Sequence, residues 1–412
     1  MPILHDLPGL RPVVAGLEET RIVQMVQYGR GREGLIPLWV GEGDVPTPDF
    51  IREACDRAIR DGRVFYTWQR GLPELREGLA AYLSGNHGVA VGMERITVAS
   101  SGMQAIMLAL QALVGPGDEV VVVTPVWPNV MSAVTLLGGV VVPVPLEPGP
   151  GGWRLNPGRV AAAIGPRTRA LFVNSPSNPT GWMLDRDGLR DLWALARRTG
   201  IWLIADEVYG RLVYDRAPGQ RAVAPSFLEL AGPEDRLIVV NSFSKNWAMT
   251  GWRLGWLVTP PALGLVLEKL VQINTSGTPE FIQMAGLAAL EQGEDFLAAT
   301  LERCRTGRGI VTAALASVPG VRLLPPAGAF YAFLAVPGVT DTLAFAKDLL
   351  DRCGVGLAPG CAFGPGGEGH LRLCFASSAE RLHAAMARLV PALDALAPAA
   401  DRDSADRKNN AE

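Results

Sequence analysis

The chain has 412 residues, 48% hydrophobic and 19% charged, with a formal net charge of -3. That length exceeds one ordinary core and the composition supports two domains, while basic residues scattered without a long run leave no electrostatic footprint for nucleic acid or an anionic membrane. Five cysteines without a CxxC pair and four histidines without ligand spacing point to a reducing cytoplasm and no metal, and apolar runs that are short or broken by Gly and Pro predict neither a membrane span nor a signal peptide.

In chain order, the N-terminal segment 1–44 is expected to pack with a C-terminal unit. From 45 to 290, short β-branched runs alternate with longer helical patterns. Arg95-Ile-Thr-Val-Ala99 precedes a helical stretch from Met103 to Leu113, and Glu119–Val123, Ala170–Val173, Ile201–Ala205 and Leu237–Val240 are short apolar strands that end in polar residues. This alternation predicts an α/β domain with a mostly parallel sheet. Ligands in such sheets gather at the carboxyl ends of the strands, which directs attention to Ser101, residues 174–178, Asp206 and Lys245. After residue 291 a long helix and the runs Val321-Arg-Leu-Leu, Gly328-Ala-Phe-Tyr-Ala-Phe and His370-Leu-Arg-Leu-Cys-Phe predict a smaller α+β unit ending at 396. Residues 397–412 have almost nothing to bury and are expected to form a disordered tail.

The segment Asn241-Ser-Phe-Ser-Lys-Asn-Trp-Ala-Met-Thr-Gly-Trp-Arg253 carries the most chemical information. An amine between hydroxyls, with a guanidinium eight residues on, suits a lysine that holds an aldehyde cofactor covalently while Ser242, Ser244 and Arg253 offer donors to a phosphate. Two glycine-rich stretches do not carry chemistry. Gly29-Arg-Gly-Arg-Glu-Gly34 matches GxGxxG but follows a helical pattern where a strand is required, and Gly364-Pro-Gly-Gly-Glu-Gly369 is a flexible loop whose place before Arg372 would suit a substrate-gating segment.

Several ordered motifs over residues 16–390 resemble the class I and II aminotransferases of the fold type I pyridoxal phosphate enzymes, related to aspartate aminotransferase. They are Gly41-Glu-Gly-Asp-Val-Pro-Thr-Pro, Tyr66 with Pro73-Glu-Leu-Arg76, Ser101-Gly-Met-Gln-Ala, Asn174-Ser-Pro-Ser-Asn-Pro-Thr-Gly, Ala205-Asp-Glu-Val-Tyr, Ser242–Lys245 with Gly251-Trp-Arg253, and Leu371-Arg-Leu. The resemblance implies a seven-stranded sheet in the large domain, a homodimer with the active site at the subunit interface, and pyridoxal 5'-phosphate as cofactor.

The resemblance also implies roles. Lys245 would hold the cofactor and move a proton as base and acid. Asp206 would pair with the protonated pyridine nitrogen, which agrees with the cost of an unpaired carboxylate at the end of an apolar strand. Tyr209 and Asn178 would reach the cofactor's phenolic oxygen. The backbone at Ser101, Gly102 and Met103, with Ser242, Ser244 and Arg253, would hold the phosphate. Trp127 would stack on the ring, and Tyr66 would cross the dimer interface to the phosphate. Arg372 would clamp the substrate carboxylate bidentately, approached by Gly41. Glu42-Gly43-Asp44 departs from the more common Glu-Pro-Asp and loosens that entry loop. Arg70 is expected near the pocket, where it would receive a second carboxylate and favour an aspartate-like or broad-range donor, whereas Phe330 packing over the pocket would favour aromatic or aliphatic donors. The substrates are then an L-amino acid and a 2-oxo acid. A lyase, decarboxylase or oxidative enzyme of the same fold is the alternative, and a non-catalytic binding protein a more distant one.

Overall fold

Valine-rich runs without charge favour extended backbone and need cover on both faces. In the computed structural model of the chain, which describes residues 9–215 and 221–396, these runs form a seven-stranded sheet. Its strands are β1 (Ile96–Ala99), β2 (Glu119–Thr124), β3 (Val140–Pro145), β4 (Thr168–Asn174), β5 (Trp202–Asp206), β6 (Leu237–Ser242) and β7 (Gly255–Val258). The spatial order is β1-β7-β6-β5-β4-β2-β3. Strand β7 is antiparallel to both β1 and β6, and the other neighbours are parallel. Because β7 runs backwards, its first residue, Gly255, pairs with Ala99 and Ser242, the residues at the carboxyl ends of β1 and β6.

Val120, Val121, Leu171, Leu203, Ile238 and Val239 are fully buried within this sheet, each contributing roughly 1.5–3 kcal/mol relative to exposure. The helix Gly102–Leu113 starts where the Ser101 hydroxyl accepts the amide N–H of Gln104, and it packs on β6 and β7. The helix Arg186–Thr199 is capped by Asp185 and stopped by Gly200 at φ +72°, a left-handed turn that favours glycine.

Beyond the sheet, the 23-residue helix Glu294–Ala316 packs against Ala379–Leu396. A four-stranded antiparallel sheet lies beside this helix pair, built from β8 (Arg322–Leu323), β9 (Tyr331–Ala335), β10 (Ala358–Pro359) and β11 (His370–Cys374) in the order β8-β9-β11-β10. The N-terminal stretch joins it: Ile36 and Pro37 pair with Val355 and Gly356, and the Cys374 amide donates to the Leu38 carbonyl at 2.9 Å. The expected tail, 397–412, lies outside the described residues. Among those that are described, no helix is long and apolar enough to cross a membrane.

Candidate active site

A cavity of about 350 Å³ opens at the carboxyl edge of the large sheet, within the size range of small-molecule sites. The topology explains what meets there. Gly102 and Met103 follow β1, Trp127 follows β2, Asn178 follows β4, Asp206 ends β5 with Tyr209 just beyond, and Ser242, Ser244 and Lys245 leave β6. Arg253 enters just ahead of β7, Arg372 comes from β11, and Gly41 comes from the N-terminal stretch.

At the centre, Lys245 Nζ donates to the Gly41 carbonyl at 2.6 Å and lies 5.8 Å from the centre of the Tyr209 ring. The amine is half-buried in the cavity wall, and this burial pushes its pKa down to about 8, with Arg372 and Arg253 adding to the fall. Asp206 is 7% exposed, and its Oδ1 accepts from the Val208 amide at 3.2 Å. Burial pushes its carboxyl up to about 7. No cation bonds it among the described residues, so a ligand that brings a positive charge would restore the ionised form.

One end of the cavity suits a phosphate. A Cβ on Gly255 would come within 2.7 Å of the Gly102 nitrogen and within 2.8 Å of the Asn241 carbonyl oxygen, so the helix N-terminus presses against β7 only because that position is glycine. The Ser242 and Ser244 hydroxyls stand 2.9 Å apart beside it. Arg253 adopts φ +57°, ψ +59° and its Nη1 donates to the Thr250 carbonyl at 2.6 Å. A left-handed arginine is uncommon, and here it turns a guanidinium into the cavity wall.

The other end suits a carboxylate. Arg372 is 2% exposed; its Nη1 donates to Asn178 Oδ1 at 3.0 Å and its Nη2 to the Trp39 carbonyl. Its Nε is buried without a partner among the described residues. The guanidinium lies 4.7 Å from the Tyr331 ring centre and 5.0 Å from that of Phe363. Such a sandwiched cation gains a full set of bonds only when an anion arrives.

Four residues named from the sequence lie off the main cavity wall. Arg70 is turned away from the cavity: its Nε donates to Thr97 Oγ1 at 3.1 Å and its Nη2 to the Glu94 and Ile96 carbonyls, near the start of β1. The sequence alternates side chains across a strand, but nothing in it told which end of β1 the preceding loop would meet. Phe330 is absent from the main cavity wall. It lines a smaller one behind Lys245, where its ring meets Tyr209 edge-on at 5.4 Å. Ser101 caps its helix and also does not line the cavity. Tyr66 lies apart, 91% exposed beside Thr275–Pro279.

The sequence reading gave no role to Tyr331, whose hydroxyl meets that of Tyr209 at 2.7 Å, and it pointed to residues 174–178 without assigning Asn174 a task. The Asn174 side chain donates to the Asp206 carbonyl at 3.0 Å and accepts from the Asn178 amide at 2.8 Å. It thereby sets two strand ends in register. Ile22, from the helix Arg21–Gly29, also lines the cavity. The alternation that makes Tyr331 and Phe333 share a face of β9 was a usable signal for the first of these.

A doubly wound sheet whose one cavity holds an amine and a buried carboxyl, phosphate donors at one end and a caged guanidinium at the other suits a ligand with an anionic group and a cationic ring, together with a carboxylate substrate. The comparisons with known proteins agree. The family model for aminotransferase class I and II matches residues 33–389. The arginine–pyruvate transaminase AruH of Pseudomonas aeruginosa is 39% identical over 370 residues, covering 90% of this chain and 92% of that one. The aspartate aminotransferase of Pyrococcus horikoshii is 31% identical over 381 residues, covering 92% and 95%. Among solved structures, the Thermus thermophilus aspartate aminotransferase with maleate superposes with a TM-score of 0.86 at 34% identity, over 94% of this chain and all of that one. The chain belongs to the class I and II aminotransferases.

It is therefore an aminotransferase that uses pyridoxal 5'-phosphate, and the residues present fit that group. The unpaired Asp206 carboxyl meets its need for a facing acid, the helix N-terminus at Gly102 and Met103 with Ser242, Ser244 and Arg253 supplies the donor set of a phosphate, and Lys245 lines the same space.

Proposed function

We propose that Lys245 holds the cofactor and shuttles the proton of transamination, that Asp206 keeps its ring cationic, and that Arg372 receives the carboxylate common to amino acid and 2-oxo acid. When bound, the cofactor supplies an aldehyde for the amino group and a sink for the electrons left when the α-proton departs. The observation that carries this reading is that Lys245 and Asp206 line one cavity, the amine lowered to about 8 and the carboxyl raised to about 7. An amine near 8 exchanges protons at neutral pH, as a base that becomes an acid within one turnover requires. Tyr209 and Asn178 would orient the ring, Trp127 would pack against it, and Ser242, Ser244, Arg253 and the Gly102–Met103 amides would hold its phosphate.

We further propose that two copies share their sites. Phe65, Tyr66, Trp68 and Ile273 are 79%, 91%, 65% and 80% exposed, a patch of the kind that marks an interface, and Tyr66 would reach the partner's phosphate from it. A reducing cytoplasm suits the five cysteines, all of them free thiols.

The test incubates cofactor-loaded protein with an amino-acid panel and 2-oxo acids, and compares its visible absorption with that of Lys245→Ala. New amino acid, and loss of the lysine-bound absorption band in the variant together with more than about 10³-fold lower turnover, are expected. Release of ammonia or carbon dioxide without a new amino acid overturns the reading in favour of a lyase.

A further inference from the structure

We infer that the preferred donor carries an apolar side chain and no second carboxylate, and that Ile22 and Met103 select it. The inference rests on the transaminase reading above and assigns a substrate class to the same site. The cations on the cavity wall among the described residues are Lys245, Arg253 and Arg372, and each has a task already. The apolar side chains of the wall left without a task include Ile22, Val40, Met103 and Ile106, and no free donor of positive charge stands among them. Besides Asp206, assigned to the ring, the wall carries the Glu42 carboxylate, which accepts from Thr250 Oγ1 at 3.0 Å. A donor's side-chain carboxylate would lose its water here, find no cation, and share the cavity with a like charge.

Local structure explains how the two apolar residues come to face the cavity. Thr20 caps the helix Arg21–Gly29 by accepting the Val23 amide at 3.3 Å, and Met25 is fully buried. Ile22 stands three residues before Met25, on the same inward face, at the end nearest the cavity. Met103 and Ile106 are likewise three apart on the helix Gly102–Leu113. A second copy docked through its Tyr66 segment would not supply a cation from residues 63–76. Arg63 is paired with Glu280 at 3.0 Å, and Arg70 and Arg76 are both tied to backbone carbonyls around Ile96. The relatives named above take their names from donors as different as arginine and aspartate, so the side-chain wall of this chain, and not its family, decides.

The test has two readouts on cofactor-loaded protein. Calorimetric titration compares 4-methylpentanoate with glutarate, neither of which can react, and steady-state rates with pyruvate as acceptor compare leucine and methionine with aspartate and glutamate. The expected result is at least about tenfold tighter binding of 4-methylpentanoate and at least about tenfold higher kcat/KM for leucine, since each buried methylene is worth about fourfold. Met103→Lys is expected to move the glutarate to 4-methylpentanoate ratio about tenfold or more toward glutarate, and Ile22→Ala to weaken 4-methylpentanoate alone. Wild-type protein that binds glutarate as tightly, or turns over aspartate as well as leucine, overturns the inference, and this comparison stands even if neither variant folds. Failure to form any new amino acid from any donor would instead strike the transaminase reading, while the titration still ranks the two acids.

Discussion

Lys245 Nζ and the carbonyl oxygen of Gly41, 204 residues apart in sequence, are joined by a hydrogen bond of 2.6 Å. The N-terminal stretch thus supplies a resting place for the amine whenever it is not bonded to anything else. Gly41 can approach so closely because it has no side chain: a Cβ there would stand 2.1 Å from the Tyr331 hydroxyl oxygen.

Gly41→Ala should accordingly push Tyr331 away from Tyr209, or lift the stretch off Lys245. The expected cost is about 1–3 kcal/mol of stability and a clear loss of turnover. Adding Tyr331→Phe, which removes the clashing oxygen, should recover part of the stability. Urea unfolding of the two single variants and the double variant measures this coupling.

The pH dependence of the cofactor-free protein follows from Asp206. Its folded carboxyl titrates at about 7, against an ordinary value of about 4. Between those limits the folded state holds a proton that the unfolded state has released, so stability falls as pH rises through that window. Asp206→Asn should flatten the fall. Glu207, raised by burial to about 6, will retain part of it. Urea midpoints measured from pH 4.5 to 8 are the check, and a steeper slope in Asp206→Asn would contradict the assignment.

Arg372→Lys keeps the charge but not the fork that bonds Asn178 and Trp39 at once. Losing one charge-assisted bond of about 1.5–3 kcal/mol predicts roughly a 10- to 150-fold lower kcat/KM for amino donor and oxo acceptor alike. Equal losses on the two substrates, measured in separate half reactions, distinguish a shared carboxylate site from a merely structural role.

For Arg70→Ala the structure predicts an unchanged ratio of aspartate to alanine turnover, because Arg70 bonds Thr97 and the Glu94 and Ile96 carbonyls. Its removal takes that donor from Thr97 Oγ1 and the Glu94 carbonyl, while Arg76 still bonds the Ile96 carbonyl, and should cost about 1–3 kcal/mol of stability. Donor ratios and melting curves on one preparation separate the two effects.

The sheet was legible because wholly apolar runs such as Val120–Val123 have few other homes, and the residues that end each run fell at one edge as parallel topology requires. Lys245, Asp206 and Arg372 were readable because charged groups inside apolar surroundings demand partners. Legibility ended where a choice depended on packing between distant segments. Whether Phe330 or Tyr331 faces the cavity depends on the pairing of β9 with β11, and the direction of Arg70 depends on which end of β1 its loop meets. Ile22 sat in an amphipathic stretch with no chemical mark at all. Its role arises only when the N-terminal helix is laid over the sheet's edge.

The caged guanidinium has one more consequence. Arg372 belongs to the C-terminal sheet, Asn178 to a loop of the large one and Trp39 to the leading segment, and two hydrogen bonds fasten all three stretches to one another. Any shift of one stretch against the other two must carry that knot along or untie it, so the proposed grip on a carboxylate and the fastening of these three stretches are a single mechanical part.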